Sequence, residues 1–264
     1  MIDMRKVAEA IANAAAAEIA PRFGKLEKSD IKEKAPNDLV TVADLAMEER
    51  LTDLLPKLLP GSIVVGEEAV SLDESVQDRL DGDDPVWVID PVDGTANFAR
   101  ANPLIAVIVA LVRKGETIAG WIHDPLSQET AMAEQGGGVW WRGERWTLAK
   151  NPALSDMVGA LSARYFPQPQ RGLLEERRKQ FAGSFPLNCA GQEYLRLIDG
   201  RHDFSLYNRI KPWDHAAGVL LHREAGGHAA KHDGSPYRPT DRAGGLLLAN
   251  DEETWRRLHA ALFA

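Results

Sequence analysis

Val86-Trp87-Val88-Ile89-Asp90-Pro91-Val92-Asp93-Gly94-Thr95-Ala96-Asn97-Phe98 is the stretch around which the rest of the chain is arranged. Val86 to Ile89 are apolar and mostly β-branched, the composition of a short buried strand. Two carboxylates follow, Asp90 and Asp93, with Pro91 between them and Gly94 after. Pro91 fixes one backbone torsion and removes a donor, while Gly94 lets backbone approach a ligand closely. A strand ending in Asp-Pro-x-Asp-Gly-Thr gathers two negative charges, a hydroxyl and backbone N–H groups at one point. Hard divalent cations take oxygen ligands of this kind, and Mg²⁺ pairs a few carboxylates with substrate phosphate. The same letters also fit an ordinary Asp-rich turn. A calcium loop of the EF-hand type fails, because the Glu it needs at its last position is Ala101 here.

Composition narrows the partners. The chain of 264 residues carries a formal charge of −8 and no basic cluster, which argues against a nucleic-acid groove. An anionic substrate is compatible with that charge only where metal ions reverse the local sign. Cys189 is the one cysteine, so no internal disulfide forms; a reducing, cytoplasmic location is expected and the thiol is read as packing. Glu9 and Glu18 interrupt the Ala-rich start, so no secretory leader is expected there, and no apolar run approaches the ~20 residues of a membrane span.

Taken in order, residues 3–23 read as a helix capped by Asp3, with Val7, Ile11, Ala15, Ile19 and Phe23 on one side. Lys25 to Asp38 reads as charged and irregular. Thr41-x-x-Asp44 resembles a capping box that opens a helix to about Leu59, with Leu51, Leu54, Leu55 and Leu58 inward. Residues 62–66 form a short strand with Glu67 and Glu68 at its end, where adjacent side chains face opposite ways. Residues 69–84 read as a mobile acidic surface loop. Strands are expected over 104–112, 117–122, 130–133 and 139–141. Gly136-Gly137-Gly138 lacks the Lys-Ser/Thr of a phosphate loop, and Trp140, Trp141 and Trp146 read as sheet-face packing. Beyond 150 come a strand at 158–163, helices at 173–181 and 189–198, and a strand at 204–206. A helix then runs from Trp213 to Ala225, followed by a strand at 245–249 and a last helix begun by Asp251. Two α/β halves, 1–150 and 151–264, packed into one body fit this pattern best.

Asp90-Pro-Val-Asp-Gly-Thr95, preceded by Gly66-Glu67-Glu68 and followed by Pro212-Trp213-Asp214-His-Ala-Ala-Gly218, resembles the inositol monophosphatase family over nearly the whole chain. The resemblance implies an α+β (α/β) layered αβαβα sandwich forming a single phosphatase unit over 1–264. It further implies a Mg²⁺-dependent, lithium-sensitive phosphate monoester hydrolase using two or three ions, commonly a homodimer. It assigns one ion to Glu67, Asp90 and the Val92 carbonyl, and a second to Asp90, Asp93 and Asp214. Asp-Leu-Val-Thr-x-x-Asp matches at 38–44, so Asp44 is expected to partner Thr95 in activating water. Gly94 and Thr95 N–H groups, if they open a helix, would hold phosphate. Glu68 is expected to touch the ions through water, and Lys34 lies one residue off the usual lysine spacing.

Substrate contacts depart from the family. Tyr207, with Arg209 nearby, stands where inositol-specific members carry Glu, which suits a different or more anionic alcohol. Cys189-Ala190-Gly191 replaces the usual Gly-Thr/Ser-Ala stretch, with Ala190 able to make the backbone contact. His215, where Val is common, reads as packing. Three readings stay open: an inositol phosphate or similar polyol phosphate; the same chemistry on histidinol phosphate, a 3′-phosphoadenosine nucleotide or a sugar bisphosphate; and a non-catalytic metal- or phosphate-binding protein.

Overall fold

The computed structural model describes residues 2–36, 38–148 and 152–264. Helix α1 (Met4–Glu18) starts at Asp3, whose carboxylate accepts the N–H groups of Arg5 and Lys6. It ends sooner than the apolar repeat suggests, and Ile19 to Gly24 close as turns that still bury Ile19. The charged segment expected to be irregular instead pairs as an antiparallel ribbon of β1 (Ile31–Ala35) and β2 (Asp38–Thr41). Lys32 and Glu33 are exposed on it, so no apolar alternation marked the strand.

The capping box at Thr41 and Asp44 opens α2 (Val42–Leu58) as read. Leu51 and Leu55 are fully buried on its inner stripe, Leu54 is half-buried, and Leu58 turns outward. After β3 (Ile63–Gly66), Glu67 and Glu68 do not end a strand; they begin α3 (Glu67–Leu72). A 3₁₀ stretch over Glu74–Asp81 follows, so residues 69–84 are ordered structure rather than loose loop. Buried Val70, Gln77 and Leu80 anchor that acidic segment.

Then come β4 (Val86–Asp93), α4 (Thr95–Phe98), β5 (Ala106–Arg113), β6 (Glu116–Asp124), β7 (Glu129–Glu134), β8 (Gly138–Trp141) and β9 (Glu144–Trp146). With β3 they form a seven-stranded sheet in sequence order, antiparallel except for the β3/β4 pair, whose ends α3 joins by a crossover. The Gly136–Gly138 run is a turn. Its Gly136 and Gly138 N–H groups donate to the Glu224 carboxylate at 2.7 and 2.8 Å. Trp141 is buried against Trp146, with ring centroids 5.4 Å apart, whereas Trp140 on the alternate face is exposed.

The remainder supplies β10 (Val158–Leu161), α5 (Gln170–Arg177), β11 (Gly183–Ser184), α6 (Ala190–Ile198), β12 (Phe204–Tyr207), α7 (Pro212–Glu224), β13 (His228–Lys231), β14 (Leu246–Ala249) and α8 (Glu252–Phe263). The second sheet has the order β11-β10-β12-β14-β13.

Three buried apolar clusters fix the stacking of layers. One joins α1 and α2 to Trp87, Ile89, Val107 and Trp121 of the larger sheet. The second joins the opposite face of that sheet, through Val88, Ile108 and Ile122, to α6 and α7 and to Leu246 and Leu248 of the smaller sheet. The third packs the outer face of the smaller sheet, Phe204, Leu206 and Leu247, on α5 and α8. The result is the layered αβαβα sandwich, in which successive side chains of each strand feed different cores.

Candidate active site

The chemistry gathers where β4 fails to remain regular. Its pairing with β5 is in register to Asp90 opposite Ile108, slips, and resumes at Asp93 opposite Ala106. Pro91 lies in the slip, where a missing N–H costs no ladder bond. Gly94 then takes a left-handed conformation with φ +86°, and a Cβ there would lie 2.8 Å from the Leu104 carbonyl. Only glycine turns the chain here and hands Thr95 to α4.

Asp90 and Asp93 are buried, and Glu67 and Asp214 are half-buried on the more open side. The Asp214 carboxyl, in the first turn of α7, comes within hydrogen-bond reach of the Asp90 carboxyl. Burial, then Glu67, Asp93 and Asp214, push Asp90 well above the usual carboxylate range. Desolvation, then Asp93 and Glu67, do the same to Asp214. Glu67 rises to about 8, through desolvation first and against the pull of Lys34. Among the described residues no three His, Cys, Asp or Glu side chains are arranged as ligands of one ion as they stand.

Around this cluster the other named residues take definite places. Asp44, buried at the start of α2, accepts from the Thr41 N–H at 2.9 Å and from the Thr41 hydroxyl at 2.5 Å. Its other oxygen lies 3.0 Å from Thr95 Oγ1, which also sits 3.1 Å from the Val92 carbonyl. The cap and the pairing with Thr95 therefore coexist, and burial raises Asp44 to about 6 despite the Thr41 bonds. Lys34 Nζ bridges Glu67 at 3.2 Å and Glu68 at 2.8 Å. Burial alone would lower this ammonium, but the two glutamates hold it above its ordinary value.

Asp93 faces the start of α6. Its Oδ2 accepts from the Gly191 N–H at 2.6 Å and from the Cys189 thiol at 3.1 Å, and the Ala190 and Gly94 N–H groups also donate to this carboxylate. Tyr207 does not extend its hydroxyl outward. The oxygen is buried facing Glu193, short of good hydrogen-bond geometry, and the ring packs 4.6 Å from His215. His215 links Tyr194 OH at 3.1 Å to the Arg209 carbonyl at 2.9 Å, which is a packing role. The Arg209 guanidinium is exposed and lies 3.9 Å over the Tyr165 ring.

Comparison with known proteins bears directly on this arrangement. The family model described as inositol monophosphatase family matches residues 2–264. The chain belongs to the inositol monophosphatase family. A fructose-1,6-bisphosphatase/inositol-1-monophosphatase of Thermotoga maritima is 32% identical over 80% of this chain and 78% of its own. An inositol-1-monophosphatase of Mesorhizobium japonicum is 32% identical over 91% of this chain and 88% of its own. The solved structure of the extragenic suppressor protein suhB from Bartonella henselae superposes with a TM-score of 0.83 at 26% identity, covering 98% of each chain. This inositol monophosphatase family member is a phosphatase that hydrolyses phosphoric monoesters.

Several residues of this phosphatase escaped the sequence reading. Asn97 Nδ2 donates to the Leu104 and Leu187 carbonyls at 2.8 and 2.9 Å, tying the 187–188 segment to the Asp-Pro-x-Asp turn. Its place within the motif was the available signal. Cys189 is more than packing, because its thiol, held protonated by burial, donates to Asp93. Glu193 accepts from the Leu187 N–H at 2.8 Å and is raised by burial to about 7; nothing local in sequence marks it.

Proposed function

We propose that this phosphatase is Mg²⁺-dependent and acts on inositol monophosphate or a similar small polyol phosphate. One observation carries the reading: Asp90 and Asp214, 124 positions apart by number, meet within hydrogen-bond reach beside Asp93 and Glu67. A buried, acidic, oxygen-only donor set of this kind fits a hard divalent cation. Glu67, Asp90 and the Val92 carbonyl would hold one ion, and Asp90, Asp93 and Asp214 a second, with Glu68 reaching them through water. Bound Mg²⁺ supplies neutralisation of phosphate charge and eases loss of a proton from water. The protein supplies the rest. Thr95 Oγ1, held by Asp44, orients the attacking water, and an Asp44 carboxyl near 6 is suited to take its proton at neutral pH. Lithium sensitivity, a cytoplasmic location and a homodimer belong to the same proposal by family analogy.

A sugar bisphosphate is the second reading. It is favoured by the exposed Arg209 guanidinium on Tyr165 and by the name of the Thermotoga maritima relative. Phosphate release should be measured on inositol 1-phosphate, fructose 1,6-bisphosphate, histidinol phosphate and a 3′-phosphoadenosine nucleotide, with Mg²⁺ or EDTA and with or without millimolar Li⁺. Fastest turnover of inositol 1-phosphate, lost in EDTA and inhibited by Li⁺, is expected. Preference for the bisphosphate supports the second reading, and Mg²⁺ binding without turnover of any ester contradicts both.

The raised carboxyls also set a pH dependence. Folded-state values above the unfolded ones mean that the folded protein binds protons more tightly, so stability is full at low pH and is lost as pH rises through the folded values. The buried histidines, held down to about 4 in the folded protein, pull the other way around their unfolded value of about 6.5 and are neutral in both states only above about 7.5, where the carboxyls act alone. In EDTA, melting temperature should fall as pH goes from about 7.5 to about 8.5, through the raised Glu67 value of about 8, and Mg²⁺ should restore it most at the alkaline end. A pH-independent melting temperature in EDTA would contradict the proposed cluster.

A further inference from the structure

The strand β3 ends at Gly66, and α3 begins at once with Glu67, so the direction of the Glu67 side chain is set by how that first turn is held. Gly66, as the residue before the helix, has no side chain with which to cap it. The bond acceptors come from α2 instead. Glu48 Oε2 accepts the N–H of Glu68 at 2.8 Å, and Glu48 Oε1 accepts the N–H of Ala69 at 2.8 Å. Both oxygens of one buried carboxylate thus grip two consecutive amides beside Glu67. The approach is so close that a Cβ at Gly66 would lie 2.2 Å from the Glu48 carboxyl carbon, so residue 66 must be glycine for the grip to exist.

Glu48 stands four residues after Asp44, which puts both carboxylates on one face of the same helix. Asp44 holds Thr95, and one turn later Glu48 holds the backbone that carries Glu67. The geometry points to Glu48 as a positioning residue: α2 acts as a ruler that sets Glu67 at a fixed distance from the Asp44–Thr95 pair, so that Glu67 meets the cation without having to be ordered first. This rests on the reading of Glu67 as a Mg²⁺ ligand.

Glu48→Gln is the test. Gln keeps the size, but its amide NH₂ must face one of the two N–H donors, so one bond is replaced by a repulsive contact. Groups that orient metal ligands typically alter affinity by roughly 10–100-fold when changed. Calorimetric titration of EDTA-stripped protein with Mg²⁺ should therefore show a dissociation constant raised roughly 10–100-fold, with kcat at saturating Mg²⁺ and the KM for ester changed little. Glu48→Asp, which keeps the charge but falls one methylene short, should lie between Gln and wild type.

A lowered melting temperature with unchanged Mg²⁺ affinity in a folded Glu48→Gln protein would overturn the proposal and leave Glu48 as a fold-stabilising residue. Failure of both variants to fold would overturn it in the same way. Wild-type protein that binds no Mg²⁺ would instead remove the functional reading on which the proposal rests, a result the titration identifies before any variant is made.

Discussion

Asp90→Asn should reduce Mg²⁺-dependent phosphate release by at least roughly 10³-fold while leaving the protein folded. Removing one preorganised electrostatic group from an active site already costs roughly 10²–10³-fold, and Asp90 is proposed to serve both ions. The Asp90 carboxylate is buried, within reach of Asp214, and repelled by Glu67 and Asp93. Asn preserves its shape and its acceptor oxygen for the Val92 N–H, which lies 3.1 Å from Asp90 Oδ1. It removes a charge whose folded-state cost is visible in its raised pKa. Metal-free Asp90→Asn should accordingly melt at or above the temperature of metal-free wild type, which separates loss of chemistry from loss of fold. Near-normal turnover in the variant would refute the shared role, and a variant that melts early would place the effect in the fold.

Thr95→Ala should lower kcat by roughly 10²–10⁴-fold, the range for a group that positions or moves a proton, with Mg²⁺ binding and the KM for ester nearly unchanged. The Thr95 hydroxyl is 3.0 Å from Asp44 and 3.1 Å from the Val92 carbonyl, and among the described residues no other side chain donates to that Asp44 oxygen. Thr95→Ser restores an oxygen at the same position and should recover most of the rate. Asp44→Asn tests the same pair less cleanly. Asn keeps one acceptor oxygen where the carboxylate offers two, so the NH₂ group must face either the Thr95 hydroxyl or the Thr41 N–H and hydroxyl, weakening a helix cap worth about 1 kcal/mol in the second case. Rate loss, with a lowered melting temperature where the cap weakens, is expected there, against rate loss alone for Thr95→Ala. A Thr95→Ala enzyme within a few-fold of wild type would show that water is oriented by other means.

What was legible in sequence followed local rules. The strand into Asp90, the need for a glycine at 94, the Thr41–Asp44 cap and a helix from Trp213, one residue after its start at Pro212, all announce themselves through residue type and spacing. The meeting of Asp214 with Asp90 does not. No spacing rule brings together two residues so far apart in the chain, and family resemblance alone pointed to it. The errors came where local rules were applied outside their element. Glu67 and Glu68 were set on opposite faces as strand residues, yet they start a helix and both reach Lys34. Tyr207 came to the substrate site by family resemblance, and the inward turn of its hydroxyl toward Glu193 of α6 has no local signal in the sequence. The β1 strand of the ribbon, Ile-Lys-Glu-Lys-Ala, has charged residues on both faces and no apolar alternation to read.

Calorimetric titration of Mg²⁺ into EDTA-stripped wild-type and Asp90→Asn protein, in parallel, addresses the convergence of these carboxylates most directly. The wild-type protein should take up at least two equivalents, and the variant should lose tight uptake of both, because one side chain is shared between them. Superimposable isotherms, or no uptake by the wild type, would contradict a common cation site built from Glu67, Asp90, Asp93 and Asp214.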